Sequence, residues 1–400
     1  MNAEEIRCSN DLKLFDQLKA HPDVQRVNEQ LNKMAEDNAA LKIRRRLLAT
    51  SVRLSDRMAP NVHQLAEHCI KKLEIKIPVE LYVFASPQYN AACFKPEDGR
   101  LFVMFSSSLL ENFTDDEIGF VMGHELGHHL YRHHDIPIGY ILRGRSKPNA
   151  RLALELFAWS RYAEISADRA GAHCTEELAS VAKALFKLAS GLSDRTIQFS
   201  LDDFLNQVDE MQLVDGEPGQ GAPKEDWFST HPFSPLRVKA LQHFYRSELA
   251  VAGGTRKEDL EVSVQALMSL MEPSYLEGRT KVAEQMRRAL FAGALAVANA
   301  DGVISDAEIK VFEQFFGAGS FSDKIDVEKT IAELDARLDQ VREQASSSQR
   351  TQLLRDLCLI AAAEEQRGEV ERHVLDGIAD KLELSRRMIC QTLDKDIELD

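Results

Sequence analysis

Apolar side chains recur every three or four positions through the first part of the chain, which is the spacing of one face of an α-helix. Between residues 11 and 75 this pattern predicts helices. Pro22 interrupts the pattern, and we expect a break between two helices there because proline lacks the N–H that a helix interior uses. The best-spaced apolar positions are Leu14, Leu18, Val24, Val27, Leu31 and Met34.

Two shorter stretches, residues 79–84 and 100–105, are predicted to be strands. The first alternates weakly between apolar and polar side chains and is bounded by prolines. The second follows the turn-like sequence of residues 95–99 (Lys-Pro-Glu-Asp-Gly). Since the two stretches flank residues 90–94, a small mixed or antiparallel sheet is predicted here.

The best-marked helix of the chain is predicted to begin after Thr114. Thr114 and Glu117 form a capping-box pattern, and two aspartates supply negative charge to the first turn, where the helix dipole favours it. This helix is predicted to run to about His133. A second long helix is predicted at about residues 150–173, after a loop that contains glycine, serine and proline.

The sequence His124-Glu125-Leu126-Gly127-His128 lies inside the capped helix. Residues four apart share a helix face, so both imidazoles can reach one metal ion at the ~2.0–2.1 Å of a zinc–nitrogen bond. Glu125 lies about 100° further round the helix, where a base acting on water beside the metal is needed. The alternative is that both histidines lie on an apolar face and bond to carbonyl groups, so the motif alone is a hypothesis.

A candidate third ligand lies on the second helix. Glu164 and Asp168 are four residues apart, and Glu164 has the longer reach, so it can complete a catalytic site of two histidines and one carboxylate. Asp168 would then orient a ligand histidine. The alternative is a solvated pair of helix acids. Small residues that would let the two helices approach closely are Gly119, Gly123 and Gly127 on the first, and Ala163, Ala167 and Ala170 on the second.

Composition and charge narrow the classes of function. The net charge of −15 argues against a nucleic-acid partner, because phosphate recognition calls for basic clusters. The first residues lack the pattern of an export signal, and the longest nearly apolar run, residues 289–300, has 12 residues against about 20 for a membrane span. The six cysteines form no CxxC pair and are predicted to be reduced. We therefore expect a soluble, cytoplasmic protein with no transmembrane segment.

Three blocks of the sequence together resemble the gluzincin metallopeptidase family that includes HtpX and the CAAX prenyl proteases. The blocks, which span about residues 45 to 250, are residues 90–94 (Asn-Ala-Ala-Cys-Phe), 124–128 with 164–168 (the HExxH and ExxAD pair), and 230–232 (Thr-His-Pro) with Arg237. The resemblance implies an α+β, predominantly helical, zincin-like domain with a small sheet. It implies a Zn²⁺ cofactor held by His124, His128 and Glu164, with Glu125 as general base and Asp168 beside the ligands.

The same resemblance implies roles for four further positions. His231 and Arg237 are candidates to stabilise an oxyanion or to hold the active-site helices. Taken alone, His231 also fits a structural turn, and Arg237 also fits an ion pair with an acid such as Asp168. Residues Asn90, Ala91 and Ala92 would belong to a strand edge that receives peptide substrate as an added strand. Cys93 is interpreted as a buried thiol, with a fourth, inhibitory metal ligand as the alternative.

The region from residue 273 to 400 is predicted to be a separate, all-helical domain. It contains an acidic turn from Asp301 to Glu308 and a weaker copy at residues 363–371, and this pattern resembles TerB-like tellurite-resistance domains. The turn also resembles an EF-hand loop, but Val297 stands at its first ligand position and cannot coordinate a cation, so we interpret the turn as structural.

The predicted organisation is a zinc metallopeptidase domain at residues 1–251, a linker at 252–272 and a TerB-like domain at 273–400. The predicted function is a zinc metalloendopeptidase whose substrates are peptides or proteins, with the C-terminal domain regulating it or binding a protein partner. The alternatives are a non-proteolytic, zinc-bound adaptor in a stress response, and a zinc hydrolase that acts on another bond. Since the sequence lacks the membrane helices of many family members, prenylated membrane substrates are not expected.

Overall fold

The computed structural model of the protein describes residues 3–37, 42–143, 148, 150–175, 177–215, 229–271, 281–317, 319–322, 325–363 and 369–393. Its contacts form two compact units, one of residues 1–209 with 228–261 and one that begins at Val262. The domain boundaries expected from the sequence stay a prediction. Among the described residues, no helix combines the length and the apolar character needed to cross a bilayer.

The first unit is mostly helical, as predicted. Pro22 begins a helix, where its missing N–H leaves no bond unmade, so the chain breaks before it. The helices are α1 (Ser9–Lys19), α2 (Pro22–Asp37), α3 (Ile43–Thr50), α4 (Pro60–Lys72), α5 (Ser107–Asn112), α6 (Asp115–Leu130), α7 (Ile138–Arg143), α8 (Ala150–Cys174), α9 (Leu178–Ser190), α10 (Leu201–Asp215) and α11 (Ser234–Tyr245).

A small mixed sheet packs beside these helices. Its strands are β1 (Val52–Leu54), β2 (Val79–Phe84), β3 (Ala91–Glu97) and β4 (Arg100–Ser106), in the order β1-β2-β4-β3. Strand β2 pairs parallel to β4, while β1 and β3 run antiparallel to their neighbours at the two edges. Asp98 and Gly99 both have positive φ between β3 and β4, which is the conformation that an Asp-Gly hairpin turn favours. The α+β class with a small sheet is thereby confirmed.

Helices α6 and α8 pack unusually closely. A Cβ atom built on Gly127 would lie 2.7 Å from the Cβ of Ala170, and one built on Gly123 would lie 2.9 Å from the Cα of Gly171. From the other side, a Cβ on Gly171 would lie 2.6 Å from the carbonyl oxygen of Phe120. Only glycine leaves room for the facing backbone at these points. The small residues predicted to allow close approach therefore lie at the contact between the two helices.

The second unit contains only helices among its described residues, in agreement with the prediction of an all-helical region. The boundary between the units falls within the first of them. They are α12 (Lys257–Ser269), α13 (Lys281–Ala298), α14 (Asp306–Phe316), α15 (Val327–Ala332), α16 (Leu334–Gln344), α17 (Ser347–Ala361), α18 (Glu369–Lys381) and α19 (Arg387–Leu393).

The acidic turn of the second unit uses its carboxylates to hold backbone. Asp301 accepts a hydrogen bond from the N–H of Val303, and Glu308 accepts one from the N–H of Ser305 in a capping box. Val297, at the first position of the EF-hand-like pattern, is fully buried. These contacts support the interpretation of this turn as structural. The weaker copy of the pattern falls largely on residues 364–368, outside the described residues.

Candidate metal centre

Helix α6 begins where its sequence predicts. The hydroxyl of Thr114 accepts a hydrogen bond from the N–H of Glu117 at 3.4 Å, and the carboxylate of Glu117 accepts one from the N–H of Thr114 at 2.9 Å. Lys187 also donates to Glu117 at 2.8 Å, so the cap is tied to α9. This fixed start sets the rotation of α6 and with it the face on which its two motif histidines lie.

The structure brings His124, His128 and Glu164 together, with one ligand atom of each within 4.8 Å of the others. The Nε2 atoms of the two histidines are 3.2 Å apart. The carboxylate of Glu164 lies 3.6 Å from Nε2 of His124 and 3.5 Å from Nε2 of His128. Among the described residues this is the only group of three such side chains in metal-binding proximity. The two helices that the close contact joins therefore supply all three.

The chemistry of this group fits a divalent cation. Oε2 of Glu164 is buried and has no hydrogen-bond donor among the described residues. Burial holds the pKa of His128 well below its usual value, so its imidazole is neutral and a nitrogen lone pair is available. A buried oxygen and neutral imidazole nitrogens that converge without a shared donor are the ligands that zinc prefers. The residues present thus fit the metal that the sequence motif implies.

Asp168 lies behind His124 on the side away from Glu164. It is fully buried, and one of its oxygens lies 2.9 Å from Nδ1 of His124. Arg237 donates to both oxygens of Asp168, at 2.7 and 2.6 Å. Burial by itself would raise the pKa of Asp168, but the charge of Arg237 and the hydrogen bonds from Arg237 and His124 outweigh it and lower that pKa. An ionised Asp168 therefore keeps the Nδ1 proton of His124 in place and leaves Nε2 free to bind a metal.

Arg237 has the ion pair that the sequence analysis gave as its alternative role. Besides its two bonds to Asp168, it approaches Glu164 to 3.5 Å. A buried guanidinium between two buried carboxylates offsets part of the negative charge of this group. The structure thus links Arg237 to the packing of α11 against the two acids of α8.

Glu125 is buried next to His124 on α6. Burial raises the pKa of its carboxyl, and the nearby charge of Glu164 adds to the rise. Opposing contributions from His124 and from the backbone N–H of Cys93 leave that pKa above its usual value. A carboxyl of this kind exchanges a proton closer to neutral pH than an exposed glutamate does. The contact with Cys93 also connects the motif helix to strand β3.

Strand β3 is an edge of the sheet, on the side of β4 away from β2. Ala91 and Ala92 pair with Phe105 and Met104 of β4. Asn90 precedes the strand and is held by Ser106, whose N–H donates to its carbonyl oxygen at 2.8 Å. The three residues that the sequence assigned to substrate binding thus lie at the beginning of an edge strand. Cys93 follows them, outside the group of metal-type ligands.

His231 stands at the exposed side of the same group. Its Nε2 lies 3.5 Å from Oε1 of Glu164, and its side chain is 62% exposed. The hydroxyl of Ser160 donates to the carbonyl oxygen of Thr230 at 2.9 Å, which ties the chain next to His231 to α8. The structure therefore brings His231 to the site with an imidazole that solvent can reach.

Two residues at the site were not predicted from the sequence. His133 has its Nδ1 at 2.8 Å from Nδ1 of His128, and its Nε2 lies 3.1 Å from a carboxylate oxygen of Asp11. Asp11 is on α1, 122 positions away from His133. The sequence analysis gave His133 no metal-ligand role, and it lies outside the ligand group. It instead contacts a ligand from behind, as Asp168 does for His124.

The end of α6 explains this contact. The helix was predicted to reach about His133, but it ends at Leu130, because Arg132 adopts a left-handed conformation with φ of 60°. In a continued helix, residue 133 would lie about 140° round the axis from residue 128 and point away from it. The left-handed turn instead brings the ring of His133 back to within 5.0 Å of the ring of His128, between their centroids.

Comparison with known proteins gives two family matches and two informative relatives. The model described as Peptidase family M48 matches residues 56–146 and 145–245, and the model described as Tellurite resistance protein TerB matches residues 287–392. A plastoglobule-localized metallopeptidase 48, chloroplastic, of Arabidopsis thaliana is 29% identical over 211 residues, which are 50% of this chain and 61% of that protein. A protease HtpX homolog of Sulfurovum sp. (strain NBC37-1) is 24% identical over 215 residues, which are 46% of this chain and 75% of that protein.

These matches confirm both resemblances that the sequence blocks predicted. The chain spans less than two thirds of the length of the plant relative, 61%. No solved structure matches the chain.

Proposed function

Residues 56–245 of the chain belong to peptidase family M48, and from this we propose that the protein is a zinc-dependent metalloendopeptidase. The observation that carries the proposal is the convergence of His124, His128 and Glu164, with the buried carboxyl of Glu125 beside them. The names of the relatives, a metallopeptidase and a protease, support the same class of reaction.

We propose that the two Nε2 atoms and the Glu164 carboxylate hold the zinc ion. A zinc ion bound there acts as a Lewis acid that lowers the pKa of water and polarises a carbonyl group. Asp168 keeps the proton of His124 on Nδ1, which leaves Nε2 directed at the metal. Glu125 takes a proton from the attacking water and later delivers it to the leaving nitrogen of the peptide bond. The raised pKa of Glu125 suits a group that must do both.

Substrate binding is proposed at the edge of the sheet. A peptide that added itself as a strand beside β3 would pair with main-chain groups at the start of the strand, at Asn90, Ala91 and Ala92. The contact between the N–H of Cys93 and Glu125 supports this position, because it puts the strand edge next to the base. Recognition through main-chain groups fits a protease that accepts many peptide sequences.

His231 is proposed to stabilise the oxyanion. Its exposed imidazole can donate from Nε2, which already lies near Glu164, to an oxygen that becomes negative in the transition state. Arg237 is proposed to hold Asp168 and Glu164 in place, on the basis of its bonds to both acids. The two residues would thus serve the reaction in different ways, one at the substrate and one at the ligands.

The TerB-like region is proposed to bind a protein partner and to regulate which substrates meet the peptidase domain. The predicted cytoplasmic location stays a prediction, and the name of the Arabidopsis relative assigns that protein to the chloroplast. The adaptor hypothesis explains the ligands but not Glu125, because a zinc scaffold does not need a base.

Two variants test the proposal. Glu125→Gln should retain zinc and fold but lose hydrolysis of an unfolded casein substrate by about 100-fold or more, because it removes the base and no ligand. His124→Ala should lose most of the zinc found in the purified wild type by elemental analysis. Glu111→Gln, at an exposed position outside the site, is the matched control and should behave as the wild type. Near-normal hydrolysis by Glu125→Gln, or equal zinc in His124→Ala, would refute the assignment.

A further inference from the structure

We propose that Asp11 is a positioning residue for the metal ligand His128 and acts on it through His133. The inference rests on the proposed metal site and deepens it. It adds to that site a residue from α1, a helix that lies before the residues matched by the family model.

The proton positions along this chain of contacts follow from the requirement on His128. A neutral imidazole that binds a metal through Nε2 carries its proton on Nδ1. Nδ1 of His128 therefore donates to Nδ1 of His133, which is 2.8 Å away and must accept. The proton of a neutral His133 is then on Nε2, where it is donated over 3.1 Å to Asp11. The two rings have one consistent arrangement of protons, and Asp11 selects it.

Asp11 is itself held in a fixed orientation. Its side chain is 0% exposed, although it carries a charge. Trp159 donates from its indole nitrogen to Oδ1 at 3.0 Å, and Arg7 donates to Oδ2 at 2.8 Å. These bonds leave Oδ2 directed at His133. A buried carboxylate with three such donors is stabilised in its ionised form and cannot turn away from the imidazole.

The position of His133 is equally restricted. Its side chain is buried, and its ring lies edge-on to the ring of Trp159, with 5.8 Å between the centroids. The left-handed turn at Arg132 directs the backbone so that the ring reaches His128. The imidazole thus stands between two groups that it bonds, one through each nitrogen.

The two metal-binding histidines therefore have separate carboxylates behind them. Asp168 of α8 contacts His124 directly, whereas Asp11 of α1 contacts His128 through one intervening imidazole. Helix α1 has its own anchor in unit 1, because Phe15 and Leu18 belong to an apolar cluster with Trp159. The N-terminal helix thus forms part of the support of the metal site.

The test is the zinc affinity of the full chain, measured by competition with a chromophoric chelator. Partners that hold a ligand from behind typically contribute 10- to 100-fold to metal affinity. We expect Asp11→Asn and His133→Gln each to weaken zinc binding by about 10- to 100-fold. The double variant should lose no more than the weaker single variant, because both act through one chain of bonds. The d–d absorption of the cobalt-substituted protein should shift in the same variants.

Two control variants separate positioning from general stability. His134→Gln changes the neighbouring residue of the same turn, and Leu18→Ala removes packing from α1 without touching the hydrogen-bonded chain. Both should keep wild-type zinc affinity and the wild-type cobalt spectrum. Should Asp11→Asn fail to fold, the comparison of His133→Gln with His134→Gln still decides the result.

The outcomes distinguish this inference from the proposed function. Wild-type zinc affinity in both Asp11→Asn and His133→Gln, with only a lower melting temperature, would overturn the positioning role and leave the metal site intact. Additive losses in the double variant would also overturn it. A wild type that does not bind zinc would instead refute the metal site itself, and this inference with it.

Discussion

Gly127 and Gly119 lie on the same helix and offer a matched test of the contact between α6 and α8. A Cβ on Gly127 would lie 2.7 Å from the Cβ of Ala170 and 3.2 Å from the Cα of Ala167. A Cβ on Gly119 would meet no atom closer than 3.8 Å. The neighbours of Gly127 belong to the backbone or are fixed to it, so they cannot rotate away from an added methyl group. Gly127→Ala should therefore separate the helices, and Gly119→Ala should not.

The magnitude follows from these distances. Non-bonded carbon atoms pack at about 3.5–4.0 Å, so Gly127→Ala requires a separation of roughly 1 Å. Overpacking of this kind costs about 1–3 kcal/mol. Gly119→Ala gains about 0.5–1 kcal/mol, because alanine favours the helix interior over glycine. The two variants should therefore differ by about 1.5–4 kcal/mol in the free energy of unfolding of the first unit.

Zinc affinity should follow the same displacement. His124 and His128 are on α6 and Glu164 is on α8, so separating the helices moves the ligands apart. Thermal unfolding with and without zinc identifies the transition of the unit that binds the metal, and chelator competition gives the affinity. Gly127→Ala should show a lower transition and weaker zinc binding than Gly119→Ala. Equal melting temperatures and equal affinities in the two variants would refute the reasoning.

Two further predictions concern Asp11 and the division of the chain. Burial alone would raise the pKa of Asp11, but His133 and Arg7 outweigh it and hold that pKa well below its usual value. Its ionised form therefore contributes stability above about pH 4, the unfolded value, and the contribution is lost as pH falls through the folded pKa. The stability gap between the zinc-free wild type and Asp11→Asn should be widest near neutral pH and should close in acid, which denaturation at several pH values can measure; a constant gap would contradict this. Chains that end at residue 261 or 272 should both bind zinc, but light scattering should show more aggregation for the longer one, because it retains Leu267, Met268 and Met271, which are buried in the whole chain; a truncated chain that is unfolded and metal-free would show that the division is wrong.

Features that depend on neighbours in the sequence could be predicted. The capping box of Thr114 and Glu117 joins residues three apart, and its chemistry alone fixes the start of α6. The shared face of His124 and His128 follows from helix geometry once that start is known. The hairpin turn at Asp98 and Gly99 is likewise local. Such features need no knowledge of how the rest of the chain packs.

Other features depend on packing between distant segments and could not be predicted. Strand β1 has three residues, too few for a recognisable alternation, and exists because residues 52–54 pair with β2. The choice between the two roles of Arg237 required the position of Asp168, which is 69 residues away. The sequence allowed an ion pair with some acid, and only the packing of α11 against α8 identified which one.

The support of His128 shows the same limit at the metal site. A left-handed conformation costs a residue with a side chain about 1–2 kcal/mol, so nothing in the sequence favours one at Arg132. The conformation persists because it directs His133 into a buried position between His128 and Asp11, where both ring nitrogens find partners. The energy that selects the turn therefore comes from a residue 122 positions away, on a helix outside the family match. A motif search finds the ligands of such a site, whereas the groups that hold the ligands depend on whatever segment the individual chain packs behind them.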